Sequence, residues 1–120
     1  MPDMSESDLQ TLSADYLGRF LPDDATAWHT PNGGSRNKIE AAKLKRQGVT
    51  AGVADWLILY RGRLYCIELK TRKGRLSPVQ KSWSETILNA GSAAYEVCRS
   101  LEEIQDCLMR WQIPMKARLI

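Results

Sequence analysis

Three residues near the middle of the chain, Asp55, Glu68 and Lys70, have the types and spacing of a hydrolytic metal site. Glu68 and Lys70 are two apart, so on a strand they stand on the same face. Asp55 heads one apolar run, Trp56–Tyr60, and Glu68 and Lys70 stand at the foot of another, Leu64–Lys70, with Arg61-Gly62 between them. Two such runs fold as a hairpin, where the start of one strand lies beside the end of the other, so Asp55 and Glu68 converge. Two carboxylates and an ammonium at one point suit a hard divalent cation and a polarised water. Hydrolysis of a phosphodiester needs charge neutralised on the phosphate and a water made nucleophilic, and a Mg2+ ion does both. Asp55 and Glu68 are the natural direct ligands. Ile67, next to Glu68, can add only its backbone carbonyl. Lys70 would position the water, help deprotonate it, or offset charge on the pentacovalent phosphorus. Gln80, one short loop further on, would hydrogen-bond the water or the phosphate.

The elements that must hold these residues can be read from periodicity and punctuation. Ser5 or Ser7 caps a first helix whose apolar stripe is Leu9, Leu12, Tyr16, Leu17 and Phe20, with Pro22 ending it. Thr26–Thr30 is a short strand, and residues 31–35 (Pro-Asn-Gly-Gly-Ser) are a strong turn signal. A second helix spans about Lys38 to Gln47 and stops at Gly48. A glycine-punctuated loop, residues 48–53, delivers the chain to Asp55. After the hairpin, Ser77 caps a third helix with Pro78 in its first turn, running to about Asn89 with Trp83, Ile87 and Leu88 inward. Ala94–Cys98 is a fourth strand, and Ser100 caps a last helix through about Trp111. The order α-β-α-β-β-α-β-α predicts an α/β domain: a mixed four-stranded sheet flanked by helices. The two hairpin strands are nearly all apolar, which predicts central strands covered on both faces. Residues 1–4 and 114–120 read as loose ends of a single domain, and the apolar tail residues Ile113, Met115, Leu119 and Ile120 as candidates for a subunit contact.

At 120 residues, with 43% hydrophobic and 26% charged residues, the chain can bury a modest core in one domain. No apolar run approaches the roughly 20 residues of a membrane span, and the N-terminus has no basic-then-apolar signal pattern. Cys66, Cys98 and Cys107 form no metal-binding spacing and read as reduced, buried thiols, which points to an intracellular protein. Net charge is only +3, but its distribution is uneven. Residues 36–46 hold five bases (Arg36, Lys38, Lys43, Lys45, Arg46) against one acid, Glu40. A second basic cluster includes Arg72, Lys73 and Arg75. That imbalance favours contact with a phosphate backbone, which positions nucleic acid without reading its sequence. Asn32, Gly33, Gly34 and Arg36 could likewise approach backbone near the scissile phosphate. His29, the only histidine, reads as structural or nucleic-acid-facing rather than as a metal ligand.

Taken together, Asp55, Glu68-Leu69-Lys70 and Gln80 match the Asp…Glu-x-Lys…Gln pattern of PD-(D/E)xK nucleases. The chain most resembles the stand-alone phage and bacterial members of the VRR-NUC subfamily, across most of its length. The shared stretches are residues 29–34 (His-Thr-Pro-Asn-Gly-Gly), 43–49, 52–55, 67–71 and 75–80. The resemblance implies a restriction-endonuclease-like fold and a Mg2+- or Mn2+-dependent DNA endonuclease acting on branched DNA. It also implies a homodimer that resolves Holliday junctions in DNA repair or recombination. A 5′-flap or general repair nuclease, or a non-catalytic DNA-binding module on the same fold, are the alternatives. The resemblance further implies an acid on the first helix, for which Glu6 is the best match and Asp8 the alternative. One departure stands beside the site: the family places proline before the first acid, and here it is Ala54.

Overall fold

In the computed structural model, residues 4–31 and 37–119 are described. The first helix, α1 (Glu6–Phe20), begins where the Ser5 side chain accepts the Asp8 N–H, with Glu6 and Asp8 favourably placed in the first turn. It buries Leu9, Ser13, Tyr16 and Leu17 along one stripe. β1 (Ala25–His29), α2 (Lys38–Arg46), β2 (Trp56–Tyr60) and β3 (Arg63–Leu69) follow, then α3 (Pro78–Asn89), β4 (Ala94–Cys98) and α4 (Leu101–Arg110). The sheet order is β1-β2-β3-β4; the first three strands are antiparallel and β4 runs parallel to β3. This is the expected mixed four-stranded α/β arrangement.

The β2–β3 connection is a two-residue hairpin turn. Arg61 and Gly62 both have positive φ, +48° and +78°, the combination that matches the twist of the flanking strands. Arg61 accepts this conformation while its guanidinium pairs with Asp24 and lies over the Tyr60 ring. The turn sets the register Trp56↔Ile67, which places Asp55 opposite Glu68.

The main core lies on one face of the sheet. Trp56, Ile58 and Tyr60 alternate with Tyr65, Ile67 and Leu69 and pack against Leu9, Tyr16 and Leu17 of α1 and Ile104 and Leu108 of α4. The other face is covered only in part, which corrects the expectation of two fully covered strands. There, α3 sits toward β4, with Trp83 against the Tyr95 ring, and it has no buried residue. Leu88, expected to point inward, is 44% exposed, and Leu59 and Trp28 stay open on the uncovered β1–β2 side. The three cysteines are free and buried, as expected.

The C-terminal tail is not loose. Ile113 is buried, Met115 joins the core and accepts the Tyr16 hydroxyl, and the Lys116 N–H donates to the Phe20 carbonyl. Lys116 also pairs with Asp23 at 2.7 Å, and the Leu119 N–H donates to Gln105. An apolar tail next to an amphipathic helix finds its partner within the chain, so Ile113 and Met115 are spent on intramolecular packing. Ile120 lies outside the described residues. No helix among the described residues is long and apolar enough to cross a membrane.

The loop before Asp55 depends on one glycine. Gly52 has φ +81°, and a Cβ there would stand 2.5 Å from the Val79 carbonyl oxygen in the first turn of α3. Gly52→Ala is therefore expected to destabilise the fold by roughly 2–4 kcal/mol, combining left-handed strain with a backbone clash. Urea unfolding checks this; a loss under about 0.5 kcal/mol would show that α3 moves aside at little cost.

Candidate metal centre

The site forms where β2 begins and β3 ends. The Asp55 backbone N–H donates to Glu68 Oε1 at 3.2 Å, and the Leu69 N–H donates to Asp55 Oδ2 at 2.7 Å. These two bonds extend the β2–β3 ladder through a side chain at each step and fix both carboxyls beside each other. Glu6, in the first turn of α1, completes the group: one carboxylate oxygen each from Glu6, Asp55 and Glu68 lie within 4.8 Å of one another. Asp8, the alternative acid of the first helix, is not in this group. Its own N–H is taken up by the Ser5 cap.

Glu68 is 1% exposed. Burial, and then the negative charge of Asp55, push its carboxyl up to about 8, while Lys70 pulls it back down. A buried carboxyl resists ionising unless a cation compensates it, and Lys70 alone does not suffice. Lys70 Nζ stands 3.7 Å from Glu68 Oε2 with its side chain 12% exposed. The Lys70 backbone N–H donates to the Cys98 carbonyl, so β4 as well as β3 holds this residue.

Gln80 is held by the start of α3. The Ser77 hydroxyl accepts the Gln80 N–H and the Gln80 Oε1 accepts the Ser77 N–H, a reciprocal capping box. A backbone N–H can only donate, so the amide oxygen must face Ser77 and the amide nitrogen must face outward. That nitrogen donates to Glu68 Oε2 at 3.0 Å. Gln80 thus steadies Glu68 directly, where the sequence suggested a contact with water or phosphate.

The residues present fit a hard divalent cation. The donors are oxygens only, and the three thiols are buried elsewhere. The centre opens into a cleft of about 380 Å³ lined by Glu6, Ser7, Gln10, His29, Pro31, Asp55, Glu68 and Gln80. Ile67 is buried within the paired part of β3, opposite Trp56. Leu69 lies beyond that pairing, and its N–H already faces Asp55. In an extended strand a residue's N–H and C=O point to the same edge, so the Leu69 carbonyl faces the strand edge on which Asp55 lies.

Two nearby residues had no sequence signal tying them to the site. His29 Nδ1 is 2.8 Å from the Asp55 carbonyl, which also accepts the Thr30 N–H. The carbonyl can only accept, so His29 carries its proton on Nδ1 and braces the Asp55 backbone. Only the register His29↔Trp56 brings this about. Tyr95 pairs in register with Cys66, and its buried hydroxyl has no hydrogen-bond partner among the described residues. Burial and the charges of Glu68 and Asp55 push its phenol upward. Ala54, before the first acid, is completely buried.

Of the residues expected to meet nucleic acid, Asn32, Gly33, Gly34 and Arg36 lie outside the described residues. Lys38, Lys43, Lys45 and Arg46 are exposed on α2, which buries none of its residues. A groove of about 750 Å³ runs from Ala41 and Lys45 of α2 to Val79 and Gln80 of α3, and Pro31 and Gln80 line both it and the cleft of the centre. Arg72, Lys73 and Arg75 are exposed on the loop joining Lys70 to the α3 cap.

No protein-family model matches the chain. No curated protein matches it either. Among solved structures, a VRR_NUC domain protein superposes with a TM-score of 0.71 at 24% identity, over 92% of this chain and 89% of that one. The chain therefore has the α/β fold of a VRR_NUC domain protein, and its carboxylate cluster is built on that fold.

Proposed function

We propose that this chain is a metal-dependent nuclease that hydrolyses phosphodiester bonds in branched DNA, with Mg2+ as its metal and Mn2+ as a substitute. The observation that carries this reading is the meeting of Glu6, Asp55 and Glu68, drawn from three separate places in the sequence, on one point. The likeness in fold to a VRR_NUC domain protein supports it. A cation at this centre supplies charge neutralisation for the phosphate and acidifies a water. Asp55 and Glu68 hold it directly. A backbone carbonyl, that of Ile67 or Leu69, would add a neutral oxygen, and Glu6 would complete the set of residues that hold the ion. Lys70 positions the attacking water and offsets charge developing on the phosphate. Gln80 holds Glu68 in place. The bases of α2 and of residues 72–75 grip the DNA backbone, giving affinity without sequence preference.

A four-way junction presents two equivalent strands, and a two-fold dimer supplies two active sites for them. Homodimeric Holliday-junction resolution in DNA repair or recombination is accordingly the substrate reading. Among the described residues, the open apolar side chains Trp28 and Leu59 on the uncovered sheet face and Ile39 on α2 are candidates for self-association.

The test is a cleavage panel of four-way junction, 5′ flap, splayed arm and linear duplex, each with Mg2+, Mn2+ or EDTA. Paired symmetric nicks on the junction, abolished by EDTA, are the expected result. Preference for the flap would assign a repair-type nuclease instead. Binding without cleavage under every metal would overturn the enzymatic reading.

A further inference from the structure

We infer that Arg99 is a positioning residue for DNA binding: its guanidinium clamps the basic turn that links Lys70 to α3. The inference rests on the nuclease reading above. Arg99 directly follows β4, at the point where the β3–β4 ladder ends with the Lys70 N–H on the Cys98 carbonyl, 3.1 Å away. From there its side chain reaches back over residues 71–74. Nη1 donates to the Thr71 carbonyl and to the Gly74 carbonyl, each at 2.6 Å. It stands 3.5 Å from the Arg72 carbonyl as well. The two hydrogens of one nitrogen are therefore used on the two ends of a turn that the Gly74 N–H closes onto Thr71. The Arg99 backbone is fixed in turn, because its N–H donates to Glu103 Oε1 at 3.0 Å. Hydrogen bonds from a charged donor are stronger than neutral ones, and carbonyl partners leave the charge in place.

The clamped segment carries functional groups at both ends. Lys70 stands just before it, and Ser77, which caps the helix of Gln80, just after. Arg72 and Lys73 are exposed on it, and Arg75 follows. An unclamped loop would lose backbone freedom each time it closed on DNA, and that loss would weaken substrate binding. Arg99 makes this ordering part of folding, so the loop meets the phosphates already shaped.

The test uses the full chain with Arg99→Gln and Arg99→Lys. Arg99→Gln is expected to raise KM for the junction about tenfold, and to weaken junction binding in Ca2+ equally. The single-turnover rate at saturating DNA should change less than about threefold. Arg99→Lys should restore most of the loss, because an ammonium can still donate to both carbonyls. In a background of Arg72→Ala and Lys73→Ala, adding Arg99→Gln should cost less than about twofold more. Fully multiplicative effects would mean that Arg99 meets DNA itself, and an unchanged KM would mean that the clamp is irrelevant; either overturns the inference. A readout without activity separates this from the nuclease reading: exchange of the Gly74 amide should speed up at least about tenfold in Arg99→Gln while β3 and β4 stay protected. If the wild type cuts no DNA, the nuclease reading fails and the Gly74 amide still decides whether the clamp exists.

Discussion

A Glu68→Gln protein is expected to lose metal-dependent cleavage by about a thousandfold or more, since a metal at such a centre contributes several kcal/mol to the transition state. It is also expected to behave in the opposite sense in stability. In the metal-free wild type, burial and the neighbouring Asp55 hold the Glu68 carboxyl up at about 8, against 4.5 for an ordinary glutamate. Between those values the folded chain keeps a proton that the unfolded chain has released. The stabilisation from this group is complete below about pH 4.5 and is lost as pH rises through about 8. It amounts to a few kcal/mol at order of magnitude. Metal-free wild type should therefore lose melting temperature from about pH 5 to about pH 9, and Glu68→Gln should lose much less. Added Mn2+ should raise the wild-type melting temperature most at the alkaline end, where fewer protons compete, and should leave the variant unmoved. A Glu68→Gln protein whose melting temperature follows Mn2+ as the wild type does would show that the metal, if any, sits elsewhere.

Replacing Lys70 with methionine separates chemistry from metal binding. The aliphatic stem is kept and the ammonium, 3.7 Å from Glu68, is removed. Single-turnover cleavage should fall about 10²- to 10³-fold, the usual loss for a group acting on the attacking water or the developing charge. The Mn2+-induced rise in melting temperature should survive, because Lys70 is not a ligand. Lys70 pulls the Glu68 carboxyl down, so without it that carboxyl moves further up. The pH at which Mn2+ begins to stabilise the protein should move up with it. Cleavage within about tenfold of wild type would remove Lys70 from the mechanism. Loss of both cleavage and the Mn2+ response would make its role structural.

Much of the fold was legible because its signals are local. Caps at Ser5 or Ser7, Ser77 and Ser100, the Arg61-Gly62 turn and the apolar runs between them placed every element within a residue or two, and the structure selects Ser5 for the first cap. What the chain packs against what was less legible. Leu88 reads as inward by helical spacing, yet α3 lies toward the β4 edge and leaves that position open. The tail reads as loose because it has no periodicity, yet its few apolar residues dock on α1 and α4.

The sequence by itself determined the central juxtaposition: Asp55 and Glu68 are brought opposite by a two-residue turn, and Lys70 shares a face with Glu68 through strand alternation. These follow from the period of a strand and the geometry of a hairpin, which span fewer than twenty residues. Only the tertiary structure decided the rest. Packing of α1 on the core face, not the spacing of its acids, selected Glu6 over Asp8 for the cluster. Strand register carried His29 to the Asp55 carbonyl, the capping box turned the Gln80 amide toward Glu68, and β4 brought Arg99 over the loop after Lys70. Each of these contacts joins segments whose meeting depends on how helices and strands stack, and no local pattern encodes that. The same holds for the charge state of Glu68: its residue type was plain in the sequence, but only its burial beside Asp55 raises its carboxyl so far above the ordinary glutamate range.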